Sequence, residues 1–251
     1  LAVQMQKMGK RVLVFDADFG LANVEVMFGA IPKYNLADVI YHGKQITEII
    51  SEGPMGIGFV SGGTGVTGLG NLTDEQISYL FHCFGELDQM ADVILVDTGA
   101  GIANHVLEFV LASPEVLVVT TPEPTSLTDS YSLLKSLYRN PKFDREYTKI
   151  SVLSNRVISA AEGRGVYDKL NTVVGQFLEG EITYAGMIPQ DSALEKAIRM
   201  QKPVSLQAPL SKSARAFEVV AAELLQGESS DAYRSFGLSR LFSGFWKQKN
   251  E

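Results

Sequence analysis

The chain has 251 residues, 45% of them hydrophobic, which is enough for a large core, and a net charge of −7. That acidic balance argues against nucleic-acid binding spread over the whole surface. The one cysteine, Cys83, excludes an intramolecular disulfide, and no apolar run reaches the 18 residues of a membrane span.

Residues 1–8 read as the end of a helix that Gly9 closes before Lys10-Arg11 leads into a strand. Strands are predicted at 11–16, 57–60, 92–97, 115–120, 148–154 and 183–187. Helices are predicted at 36–51, 73–90, 103–112, 126–138, 164–179, 191–200 and 211–226. This alternation predicts an α/β fold, a mostly parallel doubly wound sheet flanked by helices, with no second domain before residue 226. Cys83 falls in the apolar segment 79–84 and is expected to be a buried structural thiol. Composition and the single cysteine lead us to expect a cytoplasmic α/β domain in a reducing compartment.

Two strands carry the chemistry. VLVFDADFG (12–20) and VILVDTGAG (93–101) are apolar runs ending in Asp at a glycine-containing loop. Buried parallel strands deliver carboxylates in this way to the carboxyl edge of a sheet, where ligands bind, so Asp16, Asp18 and Asp97 suggest a nucleotide–Mg²⁺ site. An Asp at such a place also caps a turn or helix, which is the plainer reading of either one alone. A phosphate-binding loop of the form G-x-x-x-x-G-K-[ST] does not occur in the sequence. The glycine-rich stretch 62–68 lacks the Lys and reads as a tight surface loop. The abrupt opening, half a helix leading into a strand, reads as a chain that starts just after such a loop.

Residues 227–232 read as a flexible linker, and 233–251 as a different kind of segment. From Tyr233 to Lys249 there is no acidic residue, while Arg234, Arg240, Lys247 and Lys249 are basic. Apolar Phe236, Leu238, Leu241, Phe242, Phe245 and Trp246 supply the face of an amphipathic helix suited to a membrane interface. Gly237 and Gly244 weaken that helix in water by about 1 kcal/mol each, so it is expected to fold on a bilayer or a partner. A terminal helix docked on its own domain is the competing reading.

DADFGLANVEVMFG (16–29), VDTGAG (96–101), VVTTPEPTSLTDSYSLLKSL (118–137), SNRV (154–157) and GMIPQDSALEKAIRMQKPV (186–204) together resemble the MinD/ParA group of deviant-Walker ATPases. The likeness runs from residue 1 to about 226. GGTGVTGL (62–69), DTGAG in place of the DxPAG of MinD, and TTPEPTSLTDSY are most similar to the flagellar FlhG-type (FleN, YlxH) branch. The resemblance implies a P-loop NTPase fold, ATP and Mg²⁺ as cofactors, and a homodimer formed with ATP. Asp16 and Asp97 would hold Mg²⁺ through its water shell, Asp18 would position the attacking water, and Gly101 would sense the γ-phosphate. Asn155 would read the adenine edge, with Pro189 and Asp191 on the loop closing over the base. An ordinary turn pair at Asn155-Arg156 and an ordinary loop proline at Pro189 are the plain alternatives.

The implied partners are an FlhF-type signal-recognition GTPase, flagellar switch (C-ring) components and an anionic membrane surface, with no direct nucleic acid. The implied location is cytoplasmic, peripheral on the inner face of the cell membrane. Two other functions stay open on the sequence: a MinD-type regulator of the division site, and a binding module without nucleotide chemistry.

Overall fold

A computed structural model describes residues 1–19, 21–63 and 72–226. The predicted linker and tail, and most of the glycine-rich stretch, lie outside the described residues. The chain divides into two compact units, Leu1–Gly99 with Gln201–Pro203 and the end of the last helix, and Ala100–Met200 with Val204–Leu224.

In the first unit α1 (Ala2–Lys7) ends as its glycine predicts. Gly9 takes φ +85°, its N–H donates to the Gln6 carbonyl, and the Lys10 N–H donates to the Met5 carbonyl, which closes the turn. The strands are β1 (Val12–Ala17), β2 (Ser51–Glu52), β3 (Gly58–Val60) and β4 (Val93–Thr98), in the order β2-β3-β1-β4. β1 is parallel to both β3 and β4, and only the two-residue β2 is antiparallel. Every residue of β1 is buried, as its unbroken apolar run requires. β4 has an equally apolar sequence but is only half-buried within this unit, where it ends the strand order and, among the described residues, pairs with β1.

Helices α2 (Val24–Phe28), α3 (Leu36–His42) and α4 (Asp74–Leu87) complete this unit. The predicted helix over 36–51 is much shorter, since Gly43 takes the left-handed conformation directly after His42. A 3₁₀ turn (Ile46–Ile49) and β2 fill the remainder. α4 begins where Thr73 and Gln76 form a reciprocal cap. Phe15, Phe59, Leu80 and Leu87 are fully enclosed, and Phe15 packs on Phe84 at 4.6 Å between ring centres. Cys83 is buried as expected, and that burial raises its thiol above the ordinary range.

The second unit is a parallel sheet of β5 (Glu115–Thr120), β6 (Lys149–Val157) and β7 (Thr183–Pro189) in that order. Its helices are α5 (Asn104–Ala112), α6 (Pro124–Tyr138), α7 (Ala160–Leu178), α8 (Ser192–Arg199), α9 (Val204–Gln207) and α10 (Lys212–Gln226). α7 starts four residues before its predicted position because Ser159, rather than a later residue, accepts the Glu162 N–H as N-cap. Leu134 and Leu137 of α6, Leu170 and Val174 of α7, and Val118, Ile150 and Val152 of the strands form one apolar cluster. Among the described residues the strands form a four-stranded and a three-stranded sheet, each parallel except for β2 and flanked by helices, the mostly parallel α/β architecture read from the sequence.

Candidate functional site

The parallel register of β1 and β4 sets Asp16 directly beside Asp97 and Ala17 beside Thr98. The residues that follow the two strands are Asp18 and Gly99, so the loops after β1 and β4 leave the sheet side by side. Asp16, Asp18 and Asp97 therefore gather at one edge, where the sequence places them.

Asp16 has no exposed surface. Its Oδ1 accepts the Asp18 N–H at 3.2 Å, and its Oδ2 accepts the N–H groups of Asn23 at 2.8 Å and Val24 at 3.0 Å. The last two are the first orphan donors of α2, so Asp16 caps a helix seven residues downstream. Burial pushes the Asp16 carboxyl above its ordinary range, against those three N–H groups, which pull it down. A carboxylate has about four acceptor positions, so three bonds leave Asp16 about one for a ligand.

Asp97 keeps a solvent-facing tip, yet its carboxyl is pushed up to about 6 by desolvation first and by the charges of Asp16 and Asp18 second. Mutual repulsion among three carboxylates is relieved by a bound cation, and in that respect the group suits Mg²⁺. Among the described residues no group of three or more acidic, His or Cys side chains is placed to hold a metal ion directly.

The start of the glycine-rich stretch is not the surface loop that its composition suggests. Ser61, Gly62 and Gly63 are buried. A Cβ on Gly62 would stand 2.6 Å from the Asp16 carbonyl oxygen, so the chain just after β3 passes too close to the end of β1 for any side chain there. The Ser61 hydroxyl donates to the Glu25 carboxylate on α2 and accepts the Gly63 N–H at 3.2 Å. Sequence reasoning gave no role to Ser61, Gly62 or Glu25; the one signal was a Gly-Gly pair ending a strand.

The residues expected around adenine all lie in the second unit, at the carboxyl ends of β6 and β7. Asn155 on β6 pairs in register with Ile188 on β7, and Pro189 pairs with Val157. The Asn155 Oδ1 accepts the N–H of Arg156, whose φ of +56° falls at the irregularity in register between Asn155 and Val157, inside β6. The Arg156 guanidinium stands 3.8 Å from Glu123. Asp191 is the N-cap of α8, accepting the Ala193 N–H at 2.9 Å, while its other oxygen accepts the N–H and hydroxyl of Ser213. Those bonds, led by the Ser213 N–H, hold its carboxyl below the ordinary range. Its side chain therefore fixes the loop at Pro189, and the plain capping function of Asp191 is present whatever the loop covers. Gly101 lies on the exposed loop after β4 with φ +104°. The predicted membrane-facing residues Phe236 to Trp246 lie outside the described residues.

Comparison with known proteins agrees with this arrangement. Residues 1–204 match the CobQ/CobB/MinD/ParA nucleotide binding domain. The chain is 39% identical over 224 residues to the antiactivator FleN of Pseudomonas aeruginosa, covering 89% of this chain and 79% of that one. It is 32% identical over 227 residues to the flagellum site-determining protein YlxH of Helicobacter pylori, covering 90% and 75%. Its fold is similar to that of the septum site-determining protein MinD of Pyrococcus horikoshii, solved with Mg-ADP, at a TM-score of 0.71 and 21% identity over 92% of this chain and 90% of that one. The mostly parallel α/β architecture, the aspartates at the ends of β1 and β4 and these likenesses converge: the chain belongs to the CobQ/CobB/MinD/ParA nucleotide-binding family.

Proposed function

We propose that this protein is a MinD-like ATPase whose ATP-dependent homodimerisation switches its membrane association and so controls the number and placement of flagella. The observation that carries the chemical part is the register neighbourhood of Asp16 and Asp97, with Asp18 beside them, at the end of two parallel strands. The names of FleN and YlxH, an antiactivator and a flagellum site-determining protein, support the flagellar part over a division-site function.

Asp16 and Asp97 hold the water shell of Mg²⁺, which when bound neutralises phosphate oxygens. Asp18 orients the attacking water, and Gly101 senses the γ-phosphate. Catalysis of this kind is positioning and charge compensation, so the carboxylates need to be fixed rather than strongly basic. Asn155 and the Pro189–Asp191 loop take the adenine.

ATP joins two copies, and the dimer presents two tails of modest affinity that bind together much more firmly than one. Each basic residue near anionic lipid adds about 1 kcal/mol, so the charge and the apolar face act jointly. An FlhF-type GTPase and flagellar C-ring components are the partners this reading names, with the cytoplasmic face of the cell membrane as the place of action.

Light scattering of the full-length protein with ATP or ADP, alongside liposome sedimentation, tests the switch. Mass doubling and lipid binding with ATP and Mg²⁺ but not with ADP is the expected result. Phe245→Glu combined with Trp246→Glu abolishes sedimentation while leaving nucleotide binding intact. Equal behaviour in both nucleotides refutes the switch, and sedimentation that survives the double substitution refutes the tail as anchor.

A further inference from the structure

The two glycines of the 97–101 loop are glycine for different reasons. Gly101 has φ +104° and nothing within 4 Å of where a Cβ would lie, so its backbone conformation is what excludes other residues. Gly99 is the reverse case. Its φ is one that any residue adopts, but a Cβ there would stand 2.7 Å from Oδ1 of Asp18, 3.2 Å from its Cγ and 3.8 Å from Oδ2. The Asp18 carboxylate thus occupies the space of the missing side chain.

Asp18 has little room to give this place up without changing its own geometry. Its N–H is bound to the Asp16 carboxylate at 3.2 Å, and its carbonyl accepts the Leu21 N–H at 3.1 Å. The main chain at residue 18 is therefore held on both sides, and a group intruding at residue 99 moves the carboxylate by rotating it about its side-chain bonds. Residue 99 is itself placed by the ladder between β1 and β4, whose last pair is Ala17 with Thr98.

We propose that Gly99 is a positioning residue: its lack of a side chain seats the Asp18 carboxylate against the backbone of the loop after β4, fixing the group that orients the attacking water. The proposal rests on the ATPase reading for its effect on rate, while its geometric part stands independently of that reading. A further consequence is that the two loops share one volume, so movement of the second loop toward residue 18 displaces the carboxylate. Asp18 is in this way answerable to both strands.

The test uses the full-length protein as Gly99→Ala, Asp18→Asn and the double variant, with steady-state ATP turnover in Mg²⁺ and a crystal structure of Gly99→Ala. A methyl that shifts a catalytic group by about 1 Å is expected to lower kcat roughly 100-fold with KM held within about twofold. Added to Asp18→Asn, the same alanine is expected to cost nothing further, because the carboxylate it displaces no longer acts. In the crystal structure the Asp18 carboxylate of Gly99→Ala is expected in a different rotamer. An unchanged kcat, or a full additional loss on top of Asp18→Asn, overturns the positioning role, as does an Asp18 carboxylate found where it stands now. Loss of kcat in Gly99→Ala with none in Asp18→Asn refutes the water-orienting reading of Asp18 itself, and a displaced carboxylate in the crystal then still upholds the packing claim.

Discussion

Replacing Asp97 with Asn should stabilise the fold while removing Mg²⁺ dependence. The carboxyl of Asp97 is moved from an ordinary 3.8 to about 6 by desolvation and by Asp16 and Asp18, so the folded state holds its charge at a cost. A carboxyl raised that far destabilises the charged folded state by at most about 3 kcal/mol. Because the tip of Asp97 faces solvent, screening reduces that to about 1 kcal/mol. Between about pH 4 and pH 6 the folded state binds more protons at Asp97 than the unfolded chain, so stability falls as pH rises through that window. The cost is fully present above about pH 6 and absent below the ordinary value. Urea unfolding at pH 8 should therefore show Asp97→Asn more stable than the parent by about 1 kcal/mol, with the gap closing toward pH 4. Mg²⁺ with nucleotide should raise the Tm of the parent and leave that of the variant unmoved. An Asn variant less stable than the parent at pH 8, or a gap unchanged between pH 8 and pH 4, refutes the crowded-carboxylate account.

Gly62→Ala places a methyl 2.6 Å from the Asp16 carbonyl oxygen, a main-chain atom that cannot rotate away, and should cost about 1–3 kcal/mol in urea unfolding. Leu134→Ala, at a position with no exposed surface in the second unit, should cost about 2–5 kcal/mol, whereas Phe177→Ala on the exposed face of α7 should stay within about 0.5 kcal/mol. The Arg11 guanidinium and main-chain N–H hold Asp92 down to about 2, so its carboxyl carbon should show no NMR titration step between pH 7 and pH 4. Arg11→Ala should move that step back up toward 3.8; a step already near 3.8 in the parent refutes the pairing.

Parallel strands were legible because burial on both sides demands uninterrupted apolar runs, and VLVF and VILV are such runs. Helix starts were legible at Thr73 and Asp191, where the cap is adjacent in sequence, whereas the equally adjacent Ser159 cap of α7 was passed over for a start at 164. α2 was not legible. It has five residues, too few for a periodicity, and its first N–H groups are satisfied by the carboxylate of Asp16, which local pattern does not reveal. The half-buried state of β4 was also hidden, since it depends on the strand's place at the end of its sheet's order rather than on its own composition. At the site, the aspartates were legible from their place at strand ends. Gly62 and Gly99 were not, because each is glycine on account of an atom brought close only by the register of β1 with its neighbours.

The double duty of Asp16 decides which carboxylate can report on function. Removing its side chain leaves the N–H groups of Asp18, Asn23 and Val24 without an acceptor inside the protein, each such loss costing about 1–3 kcal/mol. Asn at this position keeps one acceptor oxygen and turns the other into a donor facing N–H groups. Either change therefore damages α2, and through the Ser61–Glu25 bond the start of the glycine-rich stretch, before any nucleotide is considered. Loss of activity on substituting Asp16 is expected on structural grounds alone and says nothing about Mg²⁺. Asp97 is different: its charged form is disfavoured as that of Asp16 is, but among the described residues no helix cap depends on it. A carboxylate kept at a cost to the fold is the one whose retention calls for a ligand, so Asp97 is where binding of Mg²⁺ and nucleotide should be read.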